Sequence, residues 1–320
     1  MKKTFIYVFL SLVVIIILVL VVKDFSSNRP GRMSGNPYKL DVDEIMAVDP
    51  ELISYRETRN YDIDADKLGG IALSGENICI GADDYLQMID PEGKQIMKIK
   101  LPHSPECLTV SEQGNILVGF RNGLALYSPE GEEIWKTDTM GERAVFTAVR
   151  MTSSVIYVAD AGQRAVHRYG PDGSYIDSFE GKTQIEGNYG FIVPSPYFDL
   201  AIAPDGELWV ANPGKHSIEN YTGEGKLRAY WENMNPTIDG FSGCCNPAHI
   251  DIMTDGSFVT SEKGVVRIKI HKPSGELATV VAAPDKFLVD GEAPDVAVHE
   301  DGTVYALDYD RKTIRIFEPK

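Results

Sequence analysis

The stretch SVIYVADAGQRAVHRYGPDGSYIDSFEG, residues 154–181, contains three short β-rich runs separated by two turns. Residues 155–159 alternate as a half-buried strand requires, and the run ends at Asp160-Ala161-Gly162, where turn formers cluster. Residues 164–169 and 174–179 are predicted to form the next two strands. Pro171-Asp172-Gly173 predicts a tight turn between them, because proline fixes φ and glycine readily adopts a positive φ.

The same turn recurs along the chain. Its glycines are Gly93, Gly131, Gly173, Gly225 and Gly275, which are 38, 42, 52 and 50 residues apart. A second turn, ahead of another β-rich run, is marked by Gly75, Gly114, Ser154, Gly206, Gly256 and Gly302. Each of the six copies opens with its own inner strand, predicted at residues 71–73, 108–110, 147–150, 200–203, 250–253 and 296–299. Four short strands per repeat, six times over, predict an all-β, six-bladed β-propeller.

The sixth copy ends at Lys320, one strand short of a complete blade. Residues 53–63 precede the first blade and belong to no complete copy. Pairing them beside the last blade hides two sheet edges that otherwise template aggregation. We therefore expect residues 50–320 to form one propeller, closed by residues 53–63.

Lys2 and Lys3 precede an apolar run at residues 5–22. This length is at the lower edge of what spans a bilayer, and the alternative is a cleaved secretory signal. Because the first alanine is Ala47 and the first cysteine is Cys79, the sequence favours an uncleaved N-terminal transmembrane helix at residues 1–23. Residues 24–49 are then expected to be a flexible tether, and the propeller to lie outside the cytoplasm, in a periplasm if the cell has two membranes.

One segment of three copies resembles the NHL repeat, whose pattern is V-x-D-x-x-N-x-R-I-x-x-F. Residues 158–169 fit this pattern with Gln163 in the place of its asparagine, and residues 210–218 and 307–317 fit it more loosely. The other three copies keep only the spacing. The resemblance covers about residues 65–320 and implies a six-bladed propeller. The functions in the family are diverse, and include RNA binding, receptor sensing and a zinc-dependent lyase.

The composition narrows the choice of partner. The formal net charge is −16 and the pI is about 4.8. Affinity for nucleic acid comes largely from lysine and arginine on phosphates, so no nucleic-acid partner is expected.

The extra length of the chain falls after two outer strands, at residues 181–195 and 234–245, called here the first and second insertions. Such connections gather on one face of a propeller, around the channel mouth, and functional residues concentrate in loops. Aromatic residues in or beside them are candidates for a ligand-binding face, although they equally suit packing of the loops onto the ring. They are Tyr189, Phe191, Tyr197, Tyr230, Trp231 and Phe241.

The second insertion contains the adjacent pair Cys244 and Cys245, followed by His249. Two thiols and an imidazole suit zinc or copper, and the pair is also a candidate dithiol–disulfide couple. Alternatively, one cysteine packs as a small apolar residue and the other pairs with Cys79 or Cys107, or both stay free.

A second candidate metal site lies in the channel. Asp199, His249 and Asp295 each stand at the start of a predicted inner strand, and all inner strands face one axis. Their ligand atoms suit zinc or calcium. The lyase related to the NHL repeat holds its ion with several central histidines, whereas only His249 is so placed here.

The sequence favours a binding, scaffold or sensor module for an envelope protein, a peptide or a small ligand. The absence of a cofactor is favoured, and zinc, copper or calcium are the alternatives. The alternative is a redox or metal-dependent enzyme centred on Cys244, Cys245 and His249.

Overall fold

The computed structural model describes residues 2–26, 45–183 and 189–320. The chain divides into two units, residues 1–43 and 44–320. In the first, the apolar run forms helix α1 (Lys2–Ser26). The transmembrane helix predicted at residues 1–23 is not supported, because no helix among the described residues has both the length and the apolar character that crossing a membrane requires.

The predicted tether at residues 24–49 lies mostly outside the described residues. The location of the propeller outside the cytoplasm stays a prediction.

The second unit is built of six four-stranded antiparallel sheets. Its first strand, β1 (Tyr55–Asp62), belongs to the last sheet. The strands of each blade are given from the channel outward. Blade 1 contains β2 (Leu68–Ser74), β3 (Asn77–Ala82), β4 (Tyr85–Ile89) and β5 (Gln95–Lys100), and blade 2 contains β6 (Cys107–Val110), β7 (Ile116–Gly119), β8 (Leu124–Tyr127) and β9 (Glu133–Lys136). Blade 3 contains β10 (Phe146–Met151), β11 (Ile156–Asp160), β12 (Ala165–Tyr169) and β13 (Tyr175–Phe179).

The other three blades follow the same pattern. Blade 4 contains β14 (Leu200–Ile202), β15 (Leu208–Asn212), β16 (Ser217–Tyr221) and β17 (Leu227–Glu232), and blade 5 contains β18 (His249–Ile252), β19 (Phe258–Glu262), β20 (Arg267–His271) and β21 (Leu277–Ala282). Blade 6 contains β22 (Asp295–Val298), β23 (Val304–Asp308) and β24 (Thr313–Pro319), and β1 completes it.

The ring closes as the sequence predicts. Inner strands of neighbouring blades are in contact all round, including β22 with β2. Strand β1 pairs antiparallel with β24, so that Tyr55 lies opposite Pro319 and Asp62 opposite Thr313. Six blades, six inner strands and the closing strand are therefore confirmed.

The recurrent turn glycines are required for two reasons, a positive φ and a close contact with the preceding blade. All five have φ between 79° and 89°, and an added Cβ would come within 2.3–2.9 Å of an outer-strand side chain of the preceding blade. These contacts join Gly93 to Tyr61, Gly131 to Ile99, Gly173 to Trp135, Gly225 to Phe179 and Gly275 to Trp231. Since Tyr61 lies on β1, the closing strand makes the same contact as every other outer strand.

In four blades, a polar residue at the end of the second strand contacts a residue seven positions later on the third strand. The pairs are Asp160 with His167 at 3.0 Å, Asn212 with Glu219 at 3.0 Å, Glu262 with Lys269 at 2.8 Å and Asp308 with Arg315 at 3.1 Å. All eight residues are buried. In blades 1 and 2 the same strand ends hold Ala82 and Gly119.

Blade 5 buries a cluster of three charged side chains. Glu262 accepts from Arg267 at 2.7 Å and lies 2.8 Å from Lys269, and all three side chains are fully buried. Burial lowers the pKa of Lys269 to about 8. The neighbouring His271 donates from Nδ1 to the Gly275 carbonyl at 3.2 Å, and burial lowers its pKa to about 3.

We expect Arg315→Met to cost about 3–5 kcal/mol of unfolding free energy, because removing one partner leaves buried charge unpaired. Arg315 is 5% exposed and bonds both Asp308, at 3.1 Å, and Glu57 of the closing strand, at 2.6 Å. Urea denaturation measures the loss. Lys272→Met, which breaks an exposed pair with Glu276, is the control and should cost less than about 1 kcal/mol. Equal losses in the two variants would show that the Arg315 network does not stabilise ring closure.

His271 should make the fold sensitive to acid. An unfolded histidine binds a proton below about pH 6.5, whereas folded His271 stays neutral down to a pKa of about 3. Its contribution to stability is therefore fully present above about pH 6.5 and is lost as the pH falls towards about 3. Denaturation between pH 7 and 5 should show a shallower decline in His271→Phe than in the wild type, by up to about 1.4 kcal/mol per pH unit. Parallel curves would contradict a neutral buried His271.

Candidate functional site

Three aspartates on the inner strands connect neighbouring blades across the channel wall. Asp199 accepts from the Ile250 amide at 2.9 Å, which joins blade 4 to blade 5. Asp251 accepts from the Val298 amide at 2.8 Å, and Asp295 from the Ile71 amide at 3.0 Å, so the series continues through blade 6 to blade 1. Each carboxylate also accepts from the amide of the next residue in the chain. We call these three residues the inter-blade aspartates.

His249 opens β18 and lies between two of them. Its Nδ1 is 3.6 Å from an Asp199 carboxylate oxygen and 3.5 Å from one of Asp295. The side chain is 14% exposed, and its Nε2 is buried without a hydrogen-bond partner among the described residues. One nitrogen of the imidazole is therefore held by the protein, while the other has its hydrogen-bonding capacity unused.

The ionisable groups of this network shift one another's pKa values. Burial disfavours the His249 imidazolium, but Asp199 and Asp295 outweigh burial and raise the pKa of His249. Burial raises the pKa of Asp295 and takes that of Asp251 to about 6. Against burial, His249 and the Arg150 guanidinium hold the pKa of Asp199 below its usual value. The channel thus contains three carboxylates, one imidazole and one guanidinium.

The three residues also meet the geometric requirement for a metal site. Ligand atoms of Asp199, His249 and Asp295 lie within 4.8 Å of one another. Two ligand atoms of a tetrahedral zinc, each about 2.1 Å from the ion, are about 3.4 Å apart. The Nδ1–oxygen distances of 3.5 and 3.6 Å are close to this value. Sequence reasoning placed these three residues together, and the structure does so as well.

A cavity of about 730 Å³ lies at the channel mouth, with His249 in its wall. We call it the mouth cavity. It is lined from blades 4 to 6 by Pro196, Tyr197, His249, Glu292 and Tyr309, and from blades 1 to 3 by Asp66, Lys67, Leu68, Gly69, Glu106, Arg121, Val145, Phe146 and Thr147. Pro196 follows the first insertion and His249 follows the second. Both insertions therefore lead into the mouth cavity.

The predicted aromatic face is only partly assembled. Tyr197 lines the mouth cavity and packs edge-on against His249, with ring centroids 5.7 Å apart. Tyr189 is 78% exposed, and Tyr230 is exposed on the outer strand β17, away from the cavity lining.

The other three aromatic residues are packing residues, which corrects their assignment to a binding face. Phe191 and Phe241 are buried in the core. Trp231 stacks on Phe241, with ring centroids 5.6 Å apart. The insertions use these rings to cover the outer parts of blades 3 to 5.

The cysteine pair lies beside the mouth cavity. Cys244 is exposed, Cys245 is buried and their Sγ atoms are 3.2 Å apart. All four cysteines of the chain are free, so a disulfide to Cys79 or Cys107 is not formed. Hydrogen bonding to Cys245 raises the pKa of the Cys244 thiol. A second cavity of about 390 Å³, lined by Cys244, shares Tyr197 and Glu292 with the mouth cavity.

The structure does not bring the thiols and His249 into one ligand set. Among the described residues, the candidate metal cluster contains His249 with the two aspartates and no cysteine. The cysteine loop is instead fixed to blade 5, because Glu262 accepts from the Ser242 amide at 3.0 Å and the Asn246 side-chain oxygen accepts from the Lys263 amide at 2.9 Å.

Sequence reasoning missed several residues of the site. Tyr309 and Glu292 line the mouth cavity from blade 6, and Arg121 lines it from blade 2. Arg150 and Asp251 lie deeper in the channel, where they line its other end. A signal was present for the last two, since each places a charge among the apolar residues of an inner strand.

Comparison with known proteins supports the fold. No protein-family model and no curated protein matches the chain. A streptogramin B lyase structure matches with a TM-score of 0.57 at 15% identity, over 83% of this chain and 98% of that chain. Virginiamycin B lyase from Staphylococcus aureus matches with a TM-score of 0.56 at 15% identity, over 83% and 100%.

The WD40 β-propeller domain of Doa1 is also similar, with a TM-score of 0.55 at 14% identity over 79% of each chain. The NHL-repeat assignment stays a prediction, because none of these matches tests it. At such low identities the likeness extends to the β-propeller fold alone.

Proposed function

We propose that the propeller is a binding module that takes a small ligand in the mouth cavity. The observation that carries this proposal is the buried Nε2 of His249 in the cavity wall, which has no hydrogen-bond partner within residues 45–183 and 189–320. A buried polar atom without a partner costs free energy, which a hydrogen bond from a ligand recovers.

The size and chemistry of the cavity support the proposal. Its volume of about 730 Å³ falls within the range of about 300–1,000 Å³ that small-molecule sites occupy. Its wall combines aromatic rings with a few charged groups, as such sites do. The asymmetry of the ring also fits, because the insertions enlarge blades 3 and 4 on the side where Tyr197 and His249 stand.

The proposal is tested by a screen of small polar fragments against the full-length chain, with binding detected by NMR. We expect some fragments to perturb His249 and Tyr309, and His249→Gln to weaken their binding about tenfold, the equivalent of about 1.4 kcal/mol. The control His299→Gln replaces a histidine whose contacts are Glu76 and Asp301, and it should leave binding unchanged. The absence of cavity binders, or binders indifferent to His249, would refute the proposal.

A second function, a zinc-dependent one, is favoured by the distances among Asp199, His249 and Asp295. Zinc binding here needs the lone pair of Nδ1, which leaves the proton on Nε2. The zinc would act as a Lewis acid, and the residues of this chain would hold it through one imidazole and two carboxylates. Arg150 weighs against an ion, because its guanidinium already interacts favourably with both aspartates.

The metal content of the full-length chain tests this second function. After equilibration with zinc and gel filtration, mass spectrometry should find about one zinc per chain, and Asp295→Asn should lose it. The control Asp301→Asn, which removes a carboxylate beside His299, should retain it. Zinc retained by Asp295→Asn would place the ion elsewhere, for instance on Cys244 and Cys245, and the absence of zinc from the wild type would exclude this function.

A further inference from the structure

We propose that the ligand of the mouth cavity is a zwitterion, an amino acid or short peptide whose ammonium group faces blades 4 to 6 and whose carboxylate faces Arg121. This inference rests on the binding function proposed above and specifies the chemistry of its ligand. It follows from an uneven distribution of charge around the cavity.

On the side of blades 1 and 2, most charges neutralise one another. Lys67 donates to Glu106 at 2.6 Å, and Asp66 lies 3.9 Å from Lys312. Arg121 is exposed, and its guanidinium forms no ion pair or hydrogen bond with any part of the chain that the structure describes. Arg121 is therefore the unpaired cation on this side of the cavity.

On the side of blades 4 to 6, the unpaired charge in the cavity wall is negative. The nearby Lys263 ammonium is outside that wall, where it donates to Ser195 Oγ at 3.2 Å and lies 5.0 Å from the Tyr197 ring centroid. The carboxylate of Glu292 is exposed and has no ion-pair partner within residues 45–183 and 189–320. Below it, Asp199 and Asp295 share the single imidazole of His249. Beyond the effect of burial, the pKa values of the Tyr197 and Tyr309 phenols are raised by these carboxylates, so the potential on this side is negative.

The same side offers ring faces to a cation, at Tyr309 and at the face of Tyr197 that Lys263 does not cover. Tyr197 and Tyr309 flank His249, with ring centroids 5.7 and 6.3 Å from the imidazole. Ammonium groups bind to the faces of aromatic rings, and they do so more strongly when a carboxylate is near. His249 adds an acceptor at Nε2 whenever its proton is on Nδ1.

Arginine and carboxylate pair through two parallel hydrogen bonds, so Arg121 is suited to the opposite end of such a ligand. A compact cavity of about 730 Å³ is about 11 Å across, which matches an extended chain of about three residues. Arg121 is on blade 2 and Glu292 precedes blade 6, so the two unpaired charges approach the cavity from different parts of the ring.

Calorimetry with triglycine and three blocked forms tests the inference on the full-length chain. The blocked forms carry an acetylated amino end, an amidated carboxyl end, or both. We expect each block to weaken binding about tenfold or more, as the loss of a hydrogen bond to a charged group does. Glu292→Gln should shrink the effect of acetylation and not that of amidation, and Arg121→Gln should do the reverse, because each variant removes an unpaired charge that recognises that end.

Controls on exposed charges elsewhere, Glu276→Gln and Arg228→Gln, should leave all four affinities unchanged. Equal affinity for the four peptides, or no triglycine binding at millimolar concentration, overturns the zwitterion. If fragments still bind in the mouth cavity and depend on His249, the binding function stands and only the ligand class is wrong. If neither peptides nor fragments bind, both proposals fail.

Discussion

The inter-blade aspartates are the contacts on which the rest of the molecule depends. A propeller needs something to fix each inner strand against the next. Most backbone hydrogen bonds run within blades, and one of the few that join two blades is donated by the Phe146 amide to the Arg121 carbonyl at 2.8 Å. Asp199, Asp251 and Asp295 supply that link from blade 4 round to blade 1, each by accepting from an amide of the following blade. Buried carboxylates are costly unless they are paired and hydrogen-bonded. The imidazole of His249 and the guanidinium of Arg150 are therefore a consequence of how the ring is held together.

This structural need also shapes the site. Because Asp199 and Asp295 hold His249 at Nδ1, the ring is oriented and Nε2 is left at the wall of the mouth cavity. A histidine oriented by carboxylates through one nitrogen is the arrangement that proteins use both for metal ligands and for proton transfer. The arrangement by itself does not decide between ligand, proton and metal. The surrounding charges do, and Arg150 reduces the negative potential that would attract an ion.

The fold could be predicted because one residue type served two local needs in five of the six blades. A turn glycine is required by its positive φ and by the side chain of the preceding blade, as at Gly173 against Trp135. Its spacing therefore marks the blades directly. The NHL-like pattern indicated some of the buried polar pairs within the blades, since its aspartate corresponds to Asp160 and Asp308, which are members of such pairs. Glu262 makes the equivalent pair with Lys269 and was missed, because glutamate does not fit the aspartate of that pattern.

The site was harder to predict because its parts come from separate blades. Asp199, His249 and Asp295 were recognised, since each opens an inner strand and strand starts can be read from the repeat. Arg121 and Glu292 lie in connecting segments, and no periodicity relates a loop position in blade 2 to one before blade 6. Aromatic residues misled for a physical reason: a long loop must bury apolar surface to become ordered, so Phe241 and Trp231 pack together. What distinguishes Tyr197 from these rings is its charged surroundings, and only the folded ring brings those together.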